Sequence, residues 1–223
     1  QPPLARRKKL LIADMDSTMI GQECIDELAD ELGLKPQIAA ITERAMRGEI
    51  EFEPALKERV GLLKGLPEAV IAKVLAERIT LTPGARTLVQ TMKAHGAYAA
   101  LVSGGFTAFT GHVRDRLGMD EHQSNTLHVS DGLLAGTVAE PILGRDAKRT
   151  RLEELVAERG IARSDVLAVG DGANDLAMLE AAGLGVAYHA KPKVAEAADA
   201  RIDHGDLTAL LYIQGYSSDA FVD

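Results

Sequence analysis

The 223-residue sequence has no tryptophan, and its aromatic content is only 4 %. The core must therefore be aliphatic, and a hydrophobic content of 46 % can supply it. A chain of this length buries roughly 70 % of the surface its unfolded form exposes, as one large domain or two small ones. Cys24 is the single cysteine, so no intrachain disulfide can form. This fits a reducing, cytoplasmic compartment. By itself Cys24 reads as a small, half-buried hydrophobe on a helix. The six histidines lie at no spacing that resembles a zinc site and read as surface or satisfied core residues. No apolar run is long enough to span a bilayer. Arg6-Arg7-Lys8-Lys9 precedes Leu10-Leu11-Ile12, but Asp14 and Asp16 interrupt the apolar stretch too soon for a signal peptide. An excess of positive charge is also missing. The formal net charge of -8 argues against nucleic acid or an anionic membrane as the main partner. The chain begins at Gln1 rather than Met, which is compatible with an N-terminal part removed or left out.

What is present is an order of elements. Lys9 to Ala13 reads as a buried parallel strand. A helical stretch follows, about Ile20 to Ile79, with no convincing strand. Ile25, Leu28, Ala29 and Leu32 mark one amphipathic face, with Gly33 as its stop and Pro36 opening the next helix. A helix is expected from Phe52 to Leu63 after Gly48, and Pro67 is expected to start another, with Val70, Ile71, Val74 and Leu75 on one side. From Ala85 the pattern alternates. Helices are predicted over Ala85 to His95, Phe106 to Leu117, Ala147 to Arg159 and from about Asp175; strands over Ala97 to Val102, Val166 to Val169, Gly185 to Tyr188 and Ala200 to Ile202. Thr126 to Thr137 reads as a hairpin turning at Ser130-Asp131-Gly132. Such alternation implies a doubly wound parallel α/β sheet with right-handed crossovers. Residues 1-18 and 80-223 are expected to form an α/β core domain, and 19-79 an inserted helical cap over the mouth of its site.

Four segments carry chemistry. Asp14 and Asp16 end the first strand in a Ser17-Thr18 turn. Paired carboxylates there suit a hard divalent cation and a phosphate, although Asp16 or Ser17 could equally cap a helix. Ser103-Gly104-Gly105 joins a strand to a helix, where a hydroxyl and backbone N–H groups can hold an anion. Lys148 stands near a helix start, where a cation opposes the helix dipole and can neutralise phosphate instead. Gly170-Asp171-Gly172-Ala173-Asn174-Asp175 crowds two carboxylates and an amide at another strand end. Like charges packed so closely repel unless a cation sits between them. In a doubly wound sheet such strand ends converge on one crevice.

On Asp14-Met15-Asp16-Ser17-Thr18, Glu23-Cys24-Ile25-Asp26-Glu27-Leu28-Ala29, Ser103-Gly104-Gly105-Phe106, Lys148 and Gly170 to Asp175, the chain resembles the phosphatases of the haloacid-dehalogenase superfamily, and among them the phosphoserine phosphatase family. The likeness runs from about Lys8 onward. It implies a Rossmann-like core with an inserted cap and hydrolysis of O-phospho-L-serine, the last step of serine biosynthesis, through an aspartyl-phosphate. In that scheme Asp14 is the nucleophile and Asp16 the general acid and base. Mg2+ is held by the Asp14 carboxylate, the Asp16 backbone carbonyl and Asp171, with Asp175 and Asn174 supporting that shell. Manganese would suit the same ligands. Ser103, Gly104 and Lys148 bind the phosphoryl oxygens. Glu23 pairs with the substrate ammonium, Arg59 with its carboxylate, and Met46 and Phe52 close over the ligand. The expected partner is this small molecule alone, with no nucleic acid or membrane, on a monomer or homodimer. Two alternatives stay open: a related enzyme acting on phosphohomoserine or an amino-alcohol phosphate, and a receiver-type domain phosphorylated on aspartate. Receivers are much shorter and lack a helical insertion after the first strand.

Overall fold

A computed structural model describes residues 6–46 and 49–223, apart from the side chain of Met46. Gly48, expected to separate two helices, lies outside the described residues. Strand β1 (Leu10–Ala13) is completely buried, all four side chains being inaccessible to solvent. It is flanked by β2 (Tyr98–Phe106) and β6 (Val166–Gly170), both parallel to it. With β3 (Glu121–Asn125), β7 (Leu184–Tyr188) and β8 (Ala200–Ile202) these form a six-stranded parallel sheet in the order β3-β2-β1-β6-β7-β8. The reversal of strand order lies beside β1, so a crevice opens at its carboxyl end.

Strand periodicity sorts the core into two layers. Leu11, Ala13, Leu101, Leu167 and Val169 face one cluster, packed with α5 (Ala85–Ala94) and α6 (Thr107–Leu117). Leu10, Ile12, Ala100, Val102 and Ala168 face the other, packed with α7 (Arg145–Arg159), α8 (Leu176–Ala181) and α9 (Pro192–Ala197). The doubly wound parallel α/β fold is thus the one expected.

Helices α1 (Cys24–Asp30), α2 (Lys35–Met46), α3 (Phe52–Leu62) and α4 (Ala69–Glu77) stand between β1 and α5 in the chain. The two segments that lead into and out of this block pair with each other. Ile20 and Leu81 form an antiparallel bridge, Thr82 N–H donates to Met19 O, and Gln22 exchanges two hydrogen bonds with Thr80. The hairpin appears as β4 (Leu127–Ser130) and β5 (Leu133–Val138), with Asp131 and Gly132 both left-handed at its turn.

Several boundaries differ from the sequence expectation. Helix α1 ends at Asp30, because left-handed Gly33 turns the chain so that Leu34 packs on the core while Leu32 stays 39 % exposed. Pro67 does not open a helix. Pro67 instead forms an antiparallel bridge with Leu133, flanked by Gly65 N–H donating to Leu134 O and Leu134 N–H to Leu66 O, and α4 begins at Ala69. Strand β2 continues through the glycines to Phe106, where it pairs with Asn125 after an irregularity. Strand β3 was not expected at all, since Glu-His-Gln-Ser-Asn has no apolar pattern. It is an edge strand in which Glu121 bonds to Arg151 and Tyr98, and His122 and Ser124 to Thr110, while the buried Gln123 Oε1 has no hydrogen-bond partner among the described residues. The short α9 and α10 (Ala209–Ile213) were likewise not anticipated.

Candidate active site

The crevice is built from the carboxyl ends of β1, β2 and β6. After Ala13 the chain leaves the sheet in a five-residue turn closed by Ile20 N–H donating to Met15 O. Within it Asp16 is extended and Ser17 is left-handed, at φ 54°. This turn places the Asp14 and Asp16 carboxylates on the same mouth. Asp14 is almost wholly buried. Its Oδ1 accepts the Met15 N–H at 2.7 Å, and its Oδ2 lies 2.7 Å from Lys148 Nζ, with the Asn174 amide at 3.5 Å. Asp16 Oδ1 accepts the Cys24 N–H at 2.9 Å, and its Oδ2 is approached by the Ser103 hydroxyl at 3.4 Å.

Lys148 is only 2 % exposed. It reaches the crevice from the first turn of α7 and bridges Asp14 to Asp175, the second contact being 2.6 Å. The Asp175 carboxylate accepts three protein donors. Oδ1 takes Lys148, and Oδ2 takes the N–H groups of Asp171 and Gly172 at 3.1 and 2.9 Å. Gly170 has no room for a side chain, since a Cβ there would fall 2.4 Å from Asp175 Cγ. Asp171, half-buried, receives among the described residues only the Thr18 hydroxyl at 3.1 Å and keeps acceptor capacity.

Among the described residues Lys148 is the cation bonded to these carboxylates, and the proton affinities of Asp14, Asp16 and Asp171 record the imbalance. Burial and the nearby Asp175 push Asp14 well above the usual carboxylate range despite the pull of Lys148. Burial and repulsion from Glu23 push Asp16 up to about 7, and burial with Asp175 pushes Asp171 up to about 6. Burial alone would lower the Lys148 pKa, but attraction to Asp14 and Asp175 outweighs it and holds the ammonium charged. Oxygens of Asp14, Asp171 and Asp175 lie within 4.8 Å of one another, an arrangement that could hold a metal ion. The donor set is all oxygen, as hard divalent cations require. Asp14 and Asp175 each accept three protein donors, and Asp171, with the Thr18 hydroxyl as its donor among the described residues, has the most acceptor capacity to spare.

This imbalance has a consequence for stability. A carboxyl whose folded pKa exceeds its unfolded value binds its proton more tightly when folded, so acidification through the folded pKa adds stability. In chelator the thermal midpoint is therefore expected to rise as the pH falls from about 8 to about 5, through the titration of Asp16 and Asp171. Differential scanning fluorimetry across that range checks it, and a midpoint that falls throughout overturns the assignment.

The helical block contributes Glu23, Arg59 and Phe52. Glu23 precedes α1 and accepts the Ser17 hydroxyl at 2.7 Å. Arg59, half-buried on α3, donates from Nε to Ala55 O at 3.2 Å and from Nη1 to Thr42 Oγ1 at 3.3 Å. The Phe52 ring lies against Gly104 and Gly144, where Cβ atoms would meet it at 3.3 and 3.5 Å. Met46, also singled out from the sequence, carries a side chain outside the described residues.

Some groups escaped sequence reasoning. The Cys24 backbone N–H holds Asp16, and its thiol, buried beside that carboxylate, is pushed to higher pKa and stays protonated. Asn125 ties Gly104 O to the Leu143 backbone and so joins the second motif to the segment entering α7. Neither lies in a glycine-rich or paired-acid pattern. Thr18 sat in plain view beside the acids.

Comparison with known proteins places this geometry. A phosphoserine phosphatase of Polaromonas sp. is 49 % identical over 208 residues, covering 91 % of this chain and 88 % of the relative. One from Streptomyces coelicolor is 46 % identical over 210 residues, of which the chain spans only 51 % of the relative's length. A solved structure described as a phospho-aspartyl intermediate analogue of phosphoserine phosphatase superposes with a TM-score of 0.86 at 42 % identity, covering 92 % of this chain and 98 % of the other. Residues 11–180, which run from β1 past the Asp171 turn, match the haloacid dehalogenase-like hydrolases. The chain belongs to that hydrolase family.

Proposed function

We propose that this chain hydrolyses O-phospho-L-serine to serine and phosphate through a phospho-enzyme formed on Asp14. The observation that carries the reading is geometric: the buried Asp14 carboxylate lies 2.7 Å from Lys148 Nζ, and the Asp16 carboxylate, two residues on, is held by the Cys24 N–H and approached by the Ser103 hydroxyl. The relatives' names supply the substrate.

Asp14 Oδ attacks phosphorus in line as the ester bond breaks. Asp16 donates its proton to the departing seryl oxygen, then takes a proton from the water that attacks the acyl phosphate. A carboxyl with a pKa near neutrality can serve both halves. Ser103, the Gly104 backbone and Lys148 receive the phosphoryl oxygens, with Asn174 beside them. The all-oxygen donor set fits Mg2+, which the Asp14 carboxylate, the Asp16 backbone carbonyl and Asp171 would hold, with Asp175 orienting the turn beneath. When bound, that cation neutralises charge on the phosphoryl group.

In the same reading residues 1-18 and 80-223 form the core and 19-79 the cap, against which the β4-β5 hairpin is laid. Glu23 takes the substrate ammonium and Arg59 its carboxylate. Phe52 closes over the ligand and is seated against the glycine after Ser103. No helix among the described residues is long and apolar enough to cross a membrane.

Phosphate release from phosphoserine is expected to require magnesium and to stop in chelator. Arg59→Ala is expected to lower kcat/KM for phosphoserine about 100-fold, the scale of a bidentate guanidinium–carboxylate pair, while an aryl phosphate is turned over as before. Steady-state kinetics on both substrates checks this. Equal loss on both would count against the carboxylate role, and turnover of the aryl ester alone by the unaltered protein would discard the substrate.

A further inference from the structure

We infer that two hydroxyls, Ser17 and Thr42, are positioning residues that aim Glu23 and Arg59 at the ammonium and carboxylate of the substrate, an inference that rests on the roles proposed above for those two charges. Both charged groups are long and flexible, and Glu23 is exposed. An unrestrained side chain of this kind loses rotamer freedom when it takes up a ligand. Something must hold each in place without cancelling its charge.

The structure provides one neutral hydroxyl for each. Ser17 Oγ donates to Glu23 Oε1 at 2.7 Å. It does so from a left-handed backbone, φ 54° and ψ 4°, which an L-residue enters at a cost. Ser17 N–H also donates to Gln22 O at 3.2 Å, fastening the turn to the residue before Glu23. On the other side Thr42 Oγ1 gives its only proton to Ile38 O at 3.1 Å. Its oxygen is thereby left as an acceptor, and Arg59 Nη1 donates to it at 3.3 Å. With Nε bound to Ala55 O, the guanidinium is fixed at two nitrogens by uncharged acceptors. Glu23, Asp26 and Asp16 act on Arg59 through space, and among the described residues none is bonded to it. A carboxylate in place of Thr42 would orient the fork equally well but neutralise it before a substrate arrived. Hydroxyls orient and leave the charge available.

The two hydroxyls therefore act on different ends of the ligand, and four phosphomonoesters separate them. O-Phospho-L-serine carries ammonium and carboxylate, O-phosphoethanolamine only the ammonium, the phosphate ester of 3-hydroxypropanoate only the carboxylate, and phenyl phosphate neither. Thr42→Val is expected to raise KM about tenfold, the size of one hydrogen bond to a charged group, on the two carboxylate-bearing esters alone. Ser17→Ala and Ser17→Gly are expected to do so on the two ammonium-bearing esters alone, with kcat held within about twofold. Glycine adopts the left-handed turn without strain, so agreement of the two Ser17 variants separates loss of the hydroxyl from disturbance of the backbone. Thr42→Ser, which restores a hydroxyl, is expected to recover the original KM. Equal losses on all four esters, or no change on any, overturn the inference. If the unaltered protein fails to favour phosphoserine over phenyl phosphate, the reading of Glu23 and Arg59 falls first and takes the inference with it.

Discussion

Asp14→Asn is expected to lower phosphate release from phosphoserine by at least about 10³-fold, because the amide keeps the shape of the side chain but cannot form the acyl phosphate. The same change is not expected to weaken the fold. Asp14 sits buried among like charges, and its carboxyl is held well above its ordinary pKa. A neutral side chain relieves that repulsion, while Lys148 keeps its contact with Asp175 at 2.6 Å. In chelator the thermal midpoint of the variant is therefore expected to equal or exceed that of the unaltered protein, as for other sites where stability is given up for reactivity. Loss of activity together with a lower midpoint would mean that Asp14 is chiefly a structural residue. Retained turnover would remove it as nucleophile.

Lys148→Met is expected to damage both properties. The ammonium is buried with Asp14 at 2.7 Å and Asp175 at 2.6 Å, and no other cation bonds to either carboxylate among the described residues. Removing one partner of a buried ionic cluster leaves uncompensated charge, which costs about 3 kcal/mol or more. Methionine preserves most of the volume, so the loss reports charge rather than a cavity. Activity is expected to fall at least about 10²-fold, since Lys148 is one of the donors proposed above for the phosphoryl oxygens. The stability deficit has a pH signature. Without Lys148 the Asp14 carboxyl rises further above its unfolded pKa, so its protonated, uncharged form is reached at higher pH. The difference in thermal midpoint between variant and parent is expected to be large at about pH 8 and to shrink toward about pH 5. A variant of unchanged stability at both pH values would show that the ammonium is not the counter-charge of this crevice.

The chemistry was legible in the sequence because it is local there. An apolar run that ends in two acids, a strand that breaks into Ser103-Gly104-Gly105, and Gly170-Asp171-Gly172 with Asn174 and Asp175 close behind each declare a strand end over a handful of residues. The rule that such ends converge in a doubly wound sheet then unites them, although β1 and β6 lie far apart in the chain. Apolar periodicity placed β1, β6, β7 and most of the helices in the same way. It failed for Glu121–Asn125, where every residue is polar and the strand exists because β2 offers an open edge. It failed for Leu32, because the chain turns at left-handed Gly33 and the helix ends at Asp30, before the last position of the apolar spacing.

The sequence by itself determined every strand of the sheet but β3, most of its helices and the acids at its carboxyl edge, since these follow from periodicities of two and 3.6 residues and from short turns. Only the tertiary structure decided how many donors each acid accepts, that Lys148 lies between Asp14 and Asp175, and that Ser17 and Thr42 are hydrogen-bonded to Glu23 and Arg59. A polar side chain chooses its partner by distance and direction in space. That choice depends on residues with no regular separation along the chain, so no periodicity records it.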